Sequence, residues 1–153
     1  MIQRVQTIFL FLTSVFFLSY WFFGLEWYEK GYPDIILLLG GMDYIKTILI
    51  LISYIPLIIC TISFLSVFMF NKRKIQIKLT KIGLRLSVFM SLFTIFYFYN
   101  CIESLLKLMP SKLFEILMYA AIANPFICSY LLFLALKYIK RDDELVNSLN
   151  RIR

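Results

Sequence analysis

Histidine is absent from the 153 residues, which removes the commonest general base and a usual ligand of zinc and haem. The three cysteines, Cys60, Cys101 and Cys128, stand far apart with no C-x-x-C spacing. Their odd number and apolar neighbours mark them as packing residues rather than redox or metal groups. Carboxylates and amines do occur, but only between long apolar runs. A proton-coupled transporter of this size would want a carboxylate in mid-helix. A quinone-linked thiol oxidase would want cysteine pairs, and an intramembrane protease a serine with a histidine or paired aspartates. The apolar runs contain none of these sets, so the chain is expected to be no enzyme and to need no metal or cofactor.

Weakly polar residues remain inside the runs at helical spacing. They are Ser53, Pro56, Cys60 and Ser63, then Ser87, Ser91 and Thr94, then Ala120, Asn124, Cys128 and Ala135. Small and hydroxylated residues let helices approach and hydrogen-bond where lipid supplies no hydrophobic drive between them, so these stripes read as helix-packing faces. Asn124-Pro125 is the most pointed of them. A proline there frees a carbonyl one turn earlier and kinks the helix, and the Asn124 amide can reach that carbonyl or a neighbouring helix. The Ser129 hydroxyl is expected to bond within its own helix. Pro56, Asn124, Pro125, Ser87 and Ser91 are therefore the candidate packing and kink residues.

The elements that must carry these residues follow from composition. The chain is 61% hydrophobic and 16% charged with a mean hydropathy of +0.84, against about 45–50% apolar and about 25% charged in a soluble domain. That excludes a soluble enzyme, a disordered chain and a collagen-like fibre. A bilayer core of about 30 Å takes about 20 apolar residues in a helix. Charge-free intervals of that order predict spans over about 5–25, 47–71, 81–102 and 116–136, the third starting among snorkelling cations. The first run ends in Tyr20-Trp21-Phe22-Phe23, with no pair of small residues for cleavage, and reads as a retained anchor. The expected fold is all-α, one four-helix transmembrane bundle over 1–153 with a short helical tail at 137–153.

Twelve of the sixteen lysines and arginines fall before the first span, between the second and the apolar run of the third with Lys81 and Arg85 at its start, or after the fourth. Both termini and the middle loop are then expected in the cytoplasm, with the net charge of +7 lying against an anionic leaflet of the inner membrane rather than on nucleic acid. Trp21, Trp27, Tyr28 and Tyr32 at the exit of span one, and Tyr97 and Tyr99 on span three, read as an interfacial belt. Between the first two spans, Tyr32-Pro33-Asp34 and Gly40-Gly41 read as two turns around the short apolar run Ile35 to Leu39, which is a strand or a dipping helix.

The two ends carry motifs. Met1-Ile2-Gln3-Arg4-Val5-Gln6 opens the chain, and the basic–acidic block Lys140-Arg141-Asp142-Asp143-Glu144, then Leu145-Val146-Asn147-Ser148 and Arg151-Ile152-Arg153, close it. Together they resemble the domain-of-unknown-function family 4293, small four-span membrane proteins of Bacteroidota that begin M-I-Q-R-[IV]-Q and end in such a block, L-V-x-S and R-[IL]-R. The resemblance implies location and architecture, and no activity. With both ends expected on one side, Asp142, Asp143 and Glu144 can accept from Arg4, Gln3 and Gln6, leaving Arg151 and Arg153 for lipid phosphate or a partner. Gln3, Arg4, Asp142, Asp143, Glu144, Arg151 and Arg153 form the candidate docking set. The function expected is an accessory or assembly subunit that docks a membrane or cytoplasmic protein or a second copy. The alternative is an oligomeric channel or transporter for a weakly polar solute, using Asn124 and the serines.

Overall fold

A computed structural model describes residues 2–41, 43–108 and 111–151. The first helix, α1 (Ile2–Leu38), runs far beyond the first span. Tyr32-Pro33-Asp34 is not a turn: it lies inside α1, and the apolar run after it is helix. The reason is the spacing of buried positions, Leu10, Thr13, Phe17, Tyr20, Gly24, Tyr28, Gly31 and Ile35, which advance by three or four residues without a break. Such spacing keeps one stripe on one helix face, and Pro33 on the exposed side deprives only the Glu29 carbonyl of its donor. Gly40 and Gly41, at φ +95° and +72°, make the turn that was expected there, with the Gly41 amide donating to Ile36 O at 2.8 Å.

The second crossing is two helices, α2 (Asp43–Ser53) and α3 (Ile55–Phe68), broken at Tyr54. Pro56 sits buried in the first turn of α3, where its missing N–H costs least. A 3-10 turn, Met69–Asn71, then leads directly into α4 (Arg73–Leu108). The helix thus starts eight residues before the expected 81, because cations mark where lipid ends and not where backbone hydrogen bonding ends. Lys72 O accepts from the Ile75 and Gln76 amides at 2.9 and 3.1 Å, and Gln76 Nε2 donates to Ser66 O at 3.0 Å, closing the hairpin. The fourth crossing and the tail are one helix, α5 (Lys112–Arg151).

Four segments are long and apolar enough to cross a membrane: Val5–Gly24, Tyr44–Asn71, Arg73–Lys107 and Glu115–Val146. Among the described residues there is no strand. At 37, 36 and 40 residues, α1, α4 and α5 reach about 55–60 Å, so they overrun a hydrocarbon core of about 30 Å. Around the bundle, α1 packs on α3 and α5, α4 packs on α3 and α5, and α1 also meets α4 across the middle. Phe9 of α1 stacks on Tyr138 of α5 at 5.8 Å, which puts both terminal helices at one end, the end that also carries Lys72, Arg73 and Lys74.

The interior mixes an apolar cluster, with Leu10, Phe17, Ile59, Met90 and Leu132 fully buried, with small polar side chains. Thr13, Ser63, Ser66, Gln76, Thr80, Ser87, Ser91 and Thr94 are buried, while Phe22 (65% exposed), Phe23 (67%) and Leu92 (63%) face outward. Large apolar side chains lose nothing against acyl chains, and small polar ones let the helices close.

Candidate functional site

Three polar assemblies sit at three levels of the bundle. At the basic end, the tight Met69–Asn71 turn delivers Arg73 to the flank of α5. Arg73 Nη1 donates to the backbone oxygen of Asp142 at 3.2 Å, and Nη2 faces Asp142 Oδ2 at 3.2 Å as an ion pair, without the alignment of a directed hydrogen bond. The pair is mostly shielded, at 21% and 14% exposure. Beside it an open groove of about 540 Å³ is lined by Phe70, Asn71, Lys72, Arg73, Lys74, Ile75, Asp143 and Val146.

Asp142 pairs with Arg73, a partner the sequence did not single out, while the Arg4 side chain expected beside it lies outside the described residues. The reach is the cause: α4 begins so early that its first residue lies against the tail. Gln6, also expected to serve the tail, is buried in the bundle with its side-chain oxygen unpaired. Asp143 lines the groove just described, and Glu144 is exposed beside Lys137, Lys140 and Arg141. The side chains of Gln3, Arg4 and Arg151, and all of Arg153, lie outside the described residues.

At mid-height, Asn124 Nδ2 donates to Phe16 O of α1 at 3.1 Å, and its oxygen accepts from Cys128 Sγ at 3.2 Å. Ser129 donates to Pro125 O at 2.8 Å within its own helix, as expected, but its oxygen also lies 2.7 Å from Ser87 Oγ and 3.2 Å from Ser91 Oγ on α4. Ser91 can donate to Ser87 O at 3.0 Å. One hydroxyl proton apiece then suffices: Ser87 to Ser129, Ser129 to Pro125 O, Ser91 to Ser87 O. Asn124 thus ties α5 to α1 and the serines tie α5 to α4.

Toward the other end lies a network that the sequence did not announce. The hydroxyls of Tyr20, Tyr28 and Thr94 meet, Thr94 Oγ1 lying 3.2 Å from Tyr20 Oη and 3.4 Å from Tyr28 Oη. Tyr97 donates to Tyr28 O at 2.9 Å, Cys101 Sγ to Gly31 O at 3.4 Å, Ser104 pairs with Asp34, and Tyr32 donates to Leu49 O at 3.4 Å. Tyr28, Tyr32 and Tyr97 are consequently core residues and not members of an interfacial belt, whereas Tyr99 is 84% exposed. Gly31 was the available signal, since a glycine in step with Tyr28 and Ile35 marks where a neighbouring side chain presses onto the backbone.

These assemblies position helices and hold charge, and among the described residues no group of histidines, cysteines and carboxylates could bind a metal ion. No curated protein and no solved structure is similar to the chain. Residues 2–152 match the family model described as Domain of unknown function (DUF4293), nearly the whole length, and the chain belongs to that family.

Proposed function

We propose that the protein is a non-enzymatic accessory or assembly subunit of the inner membrane, and that it docks a partner protein through the basic end of the bundle. In this reading both termini and the Met69–Asn71 turn face the cytoplasm, as the excess of lysine and arginine at that end favours. The observation that carries it is the groove between that turn and α5. It is open, charged, lined from the turn, α4 and α5, and bordered by the Arg73–Asp142 pair.

Affinity purification of the full chain in mild detergent from its native membrane is the test. A reproducible partner should be recovered, lost on truncation after Arg141 and weakened by Lys72→Glu with Lys74→Glu, two exposed changes that leave the bundle interior untouched. Partner recovery unchanged by both variants would overturn the reading. Solute flux in proteoliposomes would overturn it in favour of an oligomeric channel or transporter.

A further inference from the structure

One exposed face of α5 changes character within a few turns. Phe126, Tyr130 and Phe133 point outward, and Lys137, Lys140 and Arg141 continue the same stripe at steps of three and four. Lys137 is the first charged residue after Glu115, so the stripe crosses the margin of the apolar run at that point. There Phe133, Leu136, Lys137, Lys140, Arg141 and Glu144 line a groove of about 520 Å³. Among the described residues none of the three cations is held in an ion pair.

Helix direction sets these cations apart from the others at this end. Side chains on a helix lean toward its N-terminus. On α4 the basic end is the N-terminal end, so Lys74, Lys78, Lys81 and Arg85 lean out toward water. On α5 it is the C-terminal side, so Lys137, Lys140 and Arg141 lean back over Phe133, toward lipid. Positive charge inclined into the headgroup layer calls for a fixed anion, and the anion present in that layer is lipid phosphate.

We propose that this groove holds one anionic glycerophospholipid, its phosphate against Lys137, Lys140 and Arg141 and an acyl chain along Phe133 and Tyr130. Glu144 at the outer margin disfavours a second negative charge and accepts from a headgroup hydroxyl, so a singly charged headgroup with hydroxyl donors, such as phosphatidylglycerol, fits it. The site lies on the flank of the bundle and does not depend on the docking reading or on which way the chain faces.

The test uses the full chain in mixed micelles doped equally with phosphatidylglycerol and phosphatidylcholine, one at a time in photo-crosslinkable form, with adducts mapped by peptide. Phosphatidylglycerol adducts should concentrate on 126–141. Lys140→Gln and Arg141→Gln should each lower them about fivefold. Lys74→Gln with Lys78→Gln, which removes two charges from α4, should leave them within about twofold. All four residues are exposed, and unchanged thermal stability in lipid-free detergent confirms the fold. Equal labelling by phosphatidylcholine, or an equal loss in the α4 variant, would overturn the site. Glu144→Gln should raise the yield, and a fall would overturn the anionic lipid in favour of a zwitterionic one whose ammonium the carboxylate reads.

Discussion

Gly31 lies where α4 presses closely on α1. A methyl group there would lie 2.9 Å from Tyr97 Cζ, closer still to the Tyr97 oxygen, and 3.2 Å from Cys101 Cβ, whereas at Gly24 the nearest atoms are ring carbons at 3.9 Å. Gly31→Ala should therefore cost about 1–3 kcal/mol of stability through overpacking, and Gly24→Ala should be neutral or stabilising, both read as thermal midpoints in one detergent. Tyr97→Phe in the Gly31→Ala background should recover part of the loss. Similar care applies at mid-height. From sequence, Asn124→Leu looks more damaging than Ser129→Leu, since a serine can satisfy itself within its helix. Ser129 also touches two serines of α4, so Ser129→Leu adds volume in a cluster with no room, and it should cost at least as much as Asn124→Leu. The Asn124 contact to a neighbouring helix was legible because an amide in an apolar run needs a partner. Of the Ser87–Ser91–Ser129 junction only the Ser87 and Ser91 stripe was legible, since Ser129 stands off the α5 stripe and one sequence does not say which residues of two helices meet.

Helix ends were harder to read than helix interiors. The expected margins rest on charge, and α1 and α4 continue past them because their buried positions keep stepping by three and four, a pattern that weakly hydrophobic residues such as Thr80 and Gly31 obscure in a hydropathy reading. Pro33 misled for a related reason: it is a breaker by propensity, but α1 is held on either side of it by Tyr97, Cys101 and Ser104 of α4. Pro33→Ala gives a direct check. It restores an amide donor in a helix, so the thermal midpoint should rise, by up to about 3 kcal/mol in stability terms. A proline that set a turn would produce the opposite sign. Pro56 acts differently, since it sits in the first turn of α3 just after the break at Tyr54, where no helical N–H is lost, and α2 and α3 both keep their packing on α1.

For the molecule as a whole, the basic end is tied together by Arg73 and Asp142, and a double-mutant cycle measures how much. Arg73→Asp should loosen the tail, and adding Asp142→Arg should recover part of it, with a coupling of about 1 kcal/mol that shrinks in salt. Proteolysis of the tail at low salt reads it, and purely additive effects would assign the groove's shape to packing alone. Orientation has its own check. Gly41→Cys and Ser111→Cys occupy exposed turns at the end opposite the basic one and should react with impermeant reagents from outside, while terminal tags stay protected. Gly31, which the sequence places in an outer loop, is buried and would give no signal. The all-helical fold, its four segments long and apolar enough to cross a membrane, and the family were thus readable from the chain. The tyrosine network was not, because aromatic residues near a span exit serve an interface or a core equally well until the neighbouring helix is known.

The seam between α1 and α4 also bears on how the protein is made. Tyr28, Gly31 and Asp34 are matched by Tyr97, Cys101 and Ser104, in the same direction along two parallel helices. Their partners emerge from the ribosome some seventy residues later, about 4–14 s at ordinary elongation rates. Throughout that delay the far half of α1, with a proline and several polar groups, can lie against α2 and α3 but lacks the α4 partners of Tyr28, Gly31 and Asp34. Insertion of the third crossing is then the step at which the first one finishes folding, and a nascent chain stalled before residue 97 should keep this segment open to protease.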